Sequence, residues 1–424
     1  MQSESPTAKL TLSCVRCGRT FPWSFTVRCP SCQAMIDVDY DLSRARIATD
    51  GPPMQRYFDI LPLMSRDFII DGGEGGTPCR HAKELGRALD LAQLYLKIEG
   101  ANPTRTTKDR QATQVVATFR ELGINHFVTS STGNSCTALA HIVARFPEMR
   151  MSVFVGDEFN ERLHWKRAPN VTVYWLPQGT FVDAHAAALW FATREGLASE
   201  RGFFSFAKRE PLKMAYLEAV DQVPRPISCY VQGISSAMGV HASWKGALQF
   251  QALGKIRDIP RFVGVQEETC DPMARAWRRG SGTMTEADVV ARPRGLSKAT
   301  LRGDSRQVYT YIHDIMRSTG GTILTASQDA MRAMRTRALE TEGLDICYTS
   351  SMTLVAAAAL RREGWLGRDD VVLLNLTGAD RTGMPHVQHD YLVHKGEAPG
   401  EEWRIEAAAD GARAESPAGE RSAT

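Results

Sequence analysis

The sequence predicts an α/β protein with parallel sheets, large enough for two packed domains and a small appendage. Three observations predict it: apolar runs alternate with amphipathic stretches, small-residue loops follow several of those runs, and two Cys-x-x-Cys pairs stand near the start. Strands that alternate with helices imply parallel sheets covered on both faces.

Composition sets the bounds. The chain has 424 residues, 43% hydrophobic and 23% charged, as in an ordinary soluble globular protein. A formal net charge of +3 points to neither nucleic acid nor an anionic membrane as partner. The runs "RAWRRG" and "ARPRG" read as solvated faces. No apolar span is long enough to cross a bilayer, "MTLVAAAAL" included, and "MQSESPTAKL" lacks the apolar core of a signal peptide. The expected location is the cytoplasm.

Residues 1–45 read as a ribbon. Cys14-x2-Cys17 and Cys29-x2-Cys32 each open a tight turn, and two such pairs supply a tetrahedral zinc-thiolate site. A closed four-thiolate site leaves no open position for substrate, so zinc here would be structural. A metal-free ribbon or a redox dithiol are the other readings. The remaining five of nine cysteines are scattered, and a disulfide framework is not expected in a chain of this kind.

Beyond the ribbon, "LAQLYLKIEG" reads as a strand and "QATQVVATFRELG" as a helix ending at Gly123. "HFVTSS" is a strand, followed by the helix "SCTALAHIVARF". "MSVFVG" and "VTVYWLP" are strands, and "FVDAHAAALWFATREGL" is a helix. "ISCYVQG" leads through a small-residue loop to the helix "VHASWKGALQFQALG", and "RFVGVQEE" is another strand. "SSMTLVAAAALRREGWLG" is a helix and "VVLLNLTG" a final strand. From about Gly396 the apolar period ends, and residues 396–424 are expected to form a disordered tail.

"NPTRTTKDRQA" surrounds Lys108 with turn and capping residues. Thr106-x-x-Asp109 marks a helix start, with Lys108 in its first turn, where the partial positive charge disfavours an ammonium. A lysine kept neutral is a nucleophile toward aldehydes. A solvated surface lysine is the plainer reading. Ligands of open α/β sheets bind at the carboxyl ends of strands, and three loops there stand out. "TSSTGNS" offers backbone N–H groups for a carboxylate and Asn134 as donor to a phenolic oxygen. "QGISSAMG", with Gly233, Ile234, Ser235, Ser236 and Ala237, allows close backbone approach ahead of a helix start that favours phosphate. "LTGAD" ends the last strand with the neutral hydroxyl of Thr377. Each alone also reads as a plain strand-to-helix turn. No GxGxxG opens any of them and no GxxxxGK[ST] occurs, which excludes the usual dinucleotide and P-loop sites. Lysine, phosphate cradle, amide and hydroxyl together describe one cofactor, pyridoxal phosphate.

At these residues the chain resembles the fold-type II pyridoxal-phosphate enzymes, in particular threonine synthases. "GEGGTPCRHAKELG" is similar to the family's entry segment GEGxTPL. "LKIEGANPTRTTKDR" resembles its K-x-E-x-x-N-P-T-G-S-F-K-D-R stretch, which implies that Lys108 carries the Schiff base. "SSTGNS" is similar to the family's STGN loop. This implies Asn134 at the cofactor's 3′ oxygen and Ser131, Thr132 and Gly133 at the substrate carboxylate. "EGLDICYTSSMTLVAAAALRREG" resembles a later helix entry, and "LTGAD" stands where the family has TGxGxKD, implying Thr377 at the pyridine nitrogen. The ribbon also resembles one found on some members. The resemblance implies two open twisted α/β subdomains with the cofactor between them, the larger formed by residues 46–110 and 201–395 and the smaller, mobile one by 111–200. A homodimer is a further implication.

The chain departs from the family where Arg105, Thr106 and Thr107 replace Gly-Ser-Phe. Thr106 keeps a hydroxyl for an anionic leaving group. Arg105 either recognises an acidic substituent or points to solvent. The chemistry so implied is elimination or replacement at the β or γ carbon of an activated, O-phosphorylated amino acid, with Lys108 as general base. A replacement enzyme making a non-proteinogenic amino acid is the second reading. A nucleic-acid-binding ribbon protein with a non-catalytic α/β body is the third, opposed by the charge balance and by Lys108.

Overall fold

The computed structural model describes residues 9–381, 383–396 and 402–408. The chain divides into two units. The first holds the segments up to Asn125 and from Glu200 to Gly383; the second holds His126–Ser199 and the segment from Met384 onward.

The ribbon belongs to the first unit. Leu10–Cys14 pairs antiparallel with Thr20–Phe21 on one side and Ile36–Tyr40 on the other, with Cys14 opposite Ile36. Leu10, Leu12 and Cys14 alternate inward, as a half-buried strand requires. The main sheet of this unit runs in the order Thr322–Ala326, Arg261–Glu267, Cys229–Gly233, Val371–Leu376, Gln93–Ile98, Cys79–His81. All neighbours are parallel except the last pair. Val371–Leu376 is buried at every position, because a central parallel strand is covered on both faces and needs no polar alternation. Its neighbours hand the chain to the helices that carry the site.

In the second unit the sheet order is Trp403–Ala407, Tyr391–Lys395, Val171–Leu176, Arg150–Gly156, His126–Ser130, Ala198–Ser199. Only the outermost pair, Trp403–Ala407 with Tyr391–Lys395, is antiparallel. Val128, Phe154, Leu176, Ala184, Ala187 and Val393 form its core.

Three predicted boundaries change. The helix Lys108–Glu121, which residues 111–200 were expected to carry into the smaller subdomain, lies in the first unit. There Gln114 and Thr118 both donate to the Pro62 carbonyl, which ties the helix down along its length. The segment from Met384, expected in the larger subdomain, lies in the second unit, where the Val173 N–H donates to Asp390 and the Val387 N–H to the Leu163 carbonyl. The predicted tail contains a strand, Trp403–Ala407: Trp403 and Ile405 pack on the core while Arg404 and Glu406 face outward. The rest of that predicted tail lies outside the described residues, Gly396 and its neighbours of the strand excepted.

Candidate active site

The turn ahead of Lys108 is stitched by its own side chains. After Gln93–Ile98 and a 3-10 turn, Glu99–Ala101, the Asn102 amide accepts from Gly75 N–H at 2.9 Å and donates to the Glu99 carbonyl at 2.9 Å. Thr104 donates to the Asp109 carboxylate from its N–H at 2.9 Å and its hydroxyl at 2.8 Å. Thr107 N–H donates to the Thr377 carbonyl at 2.9 Å, and Thr106 bridges to Gly378. Lys108 and Thr377 are thereby brought together. Arg105 adopts a left-handed conformation, φ 59°, and its exposed guanidinium donates to the Asp380 carbonyl at 2.8 Å. A bulky residue in that conformation marks a turn whose surroundings hold it there.

Lys108 opens the helix, but the predicted Thr106–Asp109 cap does not form: Thr107 is the N-cap without a side-chain bond, and the Asp109 carboxylate is taken by Thr104. Its ammonium is half-buried and donates no hydrogen bond to any of the described residues. Burial, helped by the nearby Lys208 charge and opposed by Glu200, brings its pKa down to about 8. Burial dominates where the sequence pointed to the helix end. Lys208 is itself paired with Glu200 at 2.5 Å, both nearly fully buried. One turn beyond Lys108, Gln111 donates to the Lys208 carbonyl at 3.0 Å and to the Met238 sulfur at 2.9 Å. Met238 begins the helix behind the second loop.

That loop leaves Gly233 at the end of Cys229–Gly233 and turns through Ile234, Ser235, Ser236 and Ala237 into Met238–Ala252. Ala237 is left-handed, φ 56°. Among the described residues, no acceptor takes the N–H of Ser235, Ser236, Ala237, Met238 or Gly239, and neither serine hydroxyl is bonded. A helix start with free donors favours an anion.

In the second unit, Ser131, Thr132 and Gly133 lead into the helix Asn134–Val143. Gly133 has φ 109°, and a Cβ there would meet Arg162 backbone oxygen at 2.8 Å, so only glycine fits. Arg162 donates to the Thr132 carbonyl at 2.7 Å and to Asn134 Oδ1 at 3.1 Å. With its oxygen so engaged, Asn134 presents its Nδ2 as a donor. The ordering by Arg162 was not legible: "NERLHW" carries no motif.

Two residues past Lys108, Arg110 is fully buried between Glu99 and Glu218, with bonds of 2.7–2.8 Å, and Lys97 donates to Glu218 at 2.8 Å. The Arg110 and Lys97 charges hold both carboxyls low, Glu99 at about 2. Lys97, Glu99 and Arg110 all stand in the stretch "LKIEGANPTRTTKDR", but nothing there shows that they pair or that Glu218 joins them, since buried charges share no period.

The sulfur atoms of Cys14, Cys17, Cys29 and Cys32 all lie within 4.8 Å of one another, Cys14 and Cys32 at 3.4 Å, Cys17 and Cys29 at 3.8 Å. A tetrahedral zinc with Zn–S of about 2.3 Å sets sulfurs ~3.8 Å apart. The four thiols fit zinc. The α/β residues likewise fit pyridoxal phosphate: an unbonded lysine, a cradle of unused N–H groups, and the Thr377 hydroxyl, which is bonded to no described residue.

The family model that matches the chain is the pyridoxal-phosphate dependent enzyme, over residues 70–378. A threonine synthase of Methanosarcina acetivorans is 26% identical over 382 residues, 87% of this chain and 91% of the relative. A cysteate synthase of Methanoculleus marisnigri is 28% identical over 388 residues, 87% of this chain and 88% of the relative. Among solved structures, a processed threonine deaminase isoform 2 of Solanum lycopersicum superposes with TM-score 0.59 at 13% identity, over 75% of this chain and 86% of that one. No described helix is long and apolar enough to cross a membrane.

Proposed function

Because the chain belongs to the pyridoxal-phosphate dependent enzyme family, we propose that it eliminates or replaces a substituent at the β or γ carbon of an activated, O-phosphorylated amino acid. The observation that carries this reading is Lys108: half-buried, bonded to none of the described residues, its pKa lowered to about 8, on a helix whose Gln111 bonds Met238 at the start of the helix behind the second loop. Relatives named threonine synthase and cysteate synthase support the reaction class.

Lys108 and the N–H groups of Ser235–Gly239 would hold the cofactor, with Gly233 and Ile234 in the loop and Thr377 at its ring nitrogen. When bound, the cofactor supplies an electron sink for charge developing at the substrate α carbon. Lys108 is the base for the α proton, since a lysine near pH 8 is partly neutral at working pH. Thr377, a neutral hydroxyl, does not force a proton onto the ring nitrogen, which favours loss of a leaving group over transamination. Ser131, Thr132 and Gly133 offer the substrate carboxylate N–H and hydroxyl donors, Asn134 donates to the phenolic oxygen, and Thr106 faces the leaving group. The small-molecule partner is an amino acid, and the active assembly is a homodimer.

A second reading, replacement to make a non-proteinogenic amino acid, is favoured by Arg105, whose cation stands three residues before the lysine. The test is the absorbance of purified protein with added pyridoxal phosphate, before and after borohydride, beside Lys108→Ala. A visible band lost on reduction and missing in the variant is expected, with phosphate release on adding O-phosphoserine or O-phosphohomoserine. A protein that stays colourless ends the reading; phosphate release only when an added nucleophile is present selects replacement.

A further inference from the structure

The matched family region begins at residue 70, beyond the cysteine ribbon, yet the ribbon touches both helices that carry the candidate cofactor residues. Trp23 and Phe25 lie on the stretch between the two cysteine pairs. Trp23 Nε1 donates to Glu121 at 2.9 Å, and the Phe25 ring meets Phe119 edge-on at 4.7 Å. Both partners sit at the far end of the helix that starts at Lys108. Trp23 and Phe25 also pack on Phe206, in the short helix whose Lys208 carbonyl accepts from Gln111.

The second contact is a buried charge cluster. Asp37, on the ribbon strand opposite Ser13, pairs with Arg209 at 2.6 Å and with Lys245 at 2.9 Å. Lys245 also donates to the Val38 carbonyl at 2.6 Å, and Arg209 to the Ile36 carbonyl at 3.3 Å. Lys245 lies two turns into Met238–Ala252, the helix whose start forms the anion cradle. Glu210, bonded by Tyr40 at 2.9 Å and by Lys245 at 2.8 Å, completes the cluster.

We propose that Trp23 and Asp37 are positioning residues through which the four-cysteine centre holds Lys108 and the Ser235–Gly239 cradle in cofactor-binding register. The inference rests on the assignment of those residues to the cofactor. A helix transmits displacement as a rod: Phe119 is about 17 Å from Lys108 along the axis, so a tilt at one end moves the other. The ribbon's own apolar core is small, and thiolate ligation by metal is what closes its two knuckles. Without metal, Trp23 and Phe25 lose their anchor between the pairs. Arg209 and Lys245 then lose a buried counter-charge, a loss that displaces the helices carrying them. Coupling between two sites is reciprocal, so bound cofactor must in turn tighten the metal.

The test uses the full chain in four forms: zinc-loaded, zinc-stripped by chelator and reloaded, Asp37→Asn, and Asp39→Asn as control. Asp39 is an exposed acid on the same ribbon strand. The measurements are pyridoxal phosphate affinity from the absorbance band, the pH midpoint of that band, Trp fluorescence, and zinc content. Stripping is expected to weaken cofactor binding roughly tenfold, reversibly on adding zinc. Asp37→Asn should weaken it and move the pH midpoint while zinc stays bound; Asp39→Asn should do neither. Zinc affinity should be weaker by the same factor in cofactor-free than in cofactor-bound protein.

Unchanged affinity and midpoint in stripped protein that keeps its fold overturns the proposal. If stripping unfolds the chain, Asp37→Asn decides: a folded, zinc-loaded variant with wild-type affinity and midpoint overturns it. Should Lys108→Ala retain the band, the assignment of Lys108 fails instead, which is a separate outcome.

Discussion

Lys108 and Arg110 stand two residues apart on one helix and meet opposite surroundings. Arg110 is fully buried, and Glu99 and Glu218 share its guanidinium. Lys97, on the neighbouring strand, is likewise satisfied by Glu218, the Thr77 carbonyl and Gln222. Lys108 has no such partner among the described residues. The difference separates two uses of a cation in a protein interior. A paired cation fixes local geometry: the two carboxylates drive the Arg110 pKa far up, while at Lys97 burial outweighs Glu218 and the pKa falls. An unpaired one is left poised to lose its proton, which is what a nucleophile or base needs.

Replacing each side chain tests the contrast. Lys108→Ala should lower turnover at least about 10³-fold, the scale on which a base and nucleophile act, with thermal unfolding little changed. Parallel loss of stability would place Lys108 with the structural cations. Glu218→Gln should do the reverse and destabilise the fold by about 3–5 kcal/mol in denaturant titration, because Lys97 and Arg110 would remain buried and short of an anion. A variant as stable as the parent would show that the cluster is not holding the fold.

Acidity sharpens the comparison. The rate at which cofactor-free protein captures pyridoxal phosphate should rise through a midpoint at about 8, where an exposed lysine would show about 10.4. A midpoint near that higher value breaks the contrast. The linkage has a definite sign: with the folded value lowered from 10.5 to about 8, the unfolded chain holds more protons between those pH values. Stability from this group therefore rises with pH across that window and is lost as pH falls through about 8. The smallest effect belongs to Arg105→Gly. Relief of the left-handed conformation and the added freedom of glycine nearly cancel, so stability should change by less than about 0.5 kcal/mol. A raised KM confined to substrates with an acidic substituent would give Arg105 its recognition role; an unchanged KM would leave it as a tie to Asp380.

Much of this was legible because it depended on local chemistry. Cys14, Cys17, Cys29 and Cys32 are readable from spacing, and the loops at Ser131 and Ser235 from small polar residues placed after β-branched runs. What escaped depended on distant partners. Glu218 and Asp37 look like ordinary surface acids in sequence, and only the fold brings them to Arg110 and Lys245. The helix Lys108–Glu121 is buried over most of its circumference, so its apolar period is blurred by Gln111, Thr113, Gln114 and Thr118, each bonded internally. Trp403–Ala407 does alternate, but glutamates and small residues on either side hid a strand of five.

That last strand has a consequence for handling the protein. Tyr391–Lys395 pairs with Val171–Leu176 on one side and with Trp403–Ala407 on the other. A chain cut after Lys395 would leave the main-chain donors and acceptors of Tyr391–Lys395 open beside the apolar faces of Tyr391 and Val393, an unguarded template for another molecule's strand. Cutting the chain there would then trade a discarded end for self-association, visible as concentration-dependent light scattering that the full chain lacks.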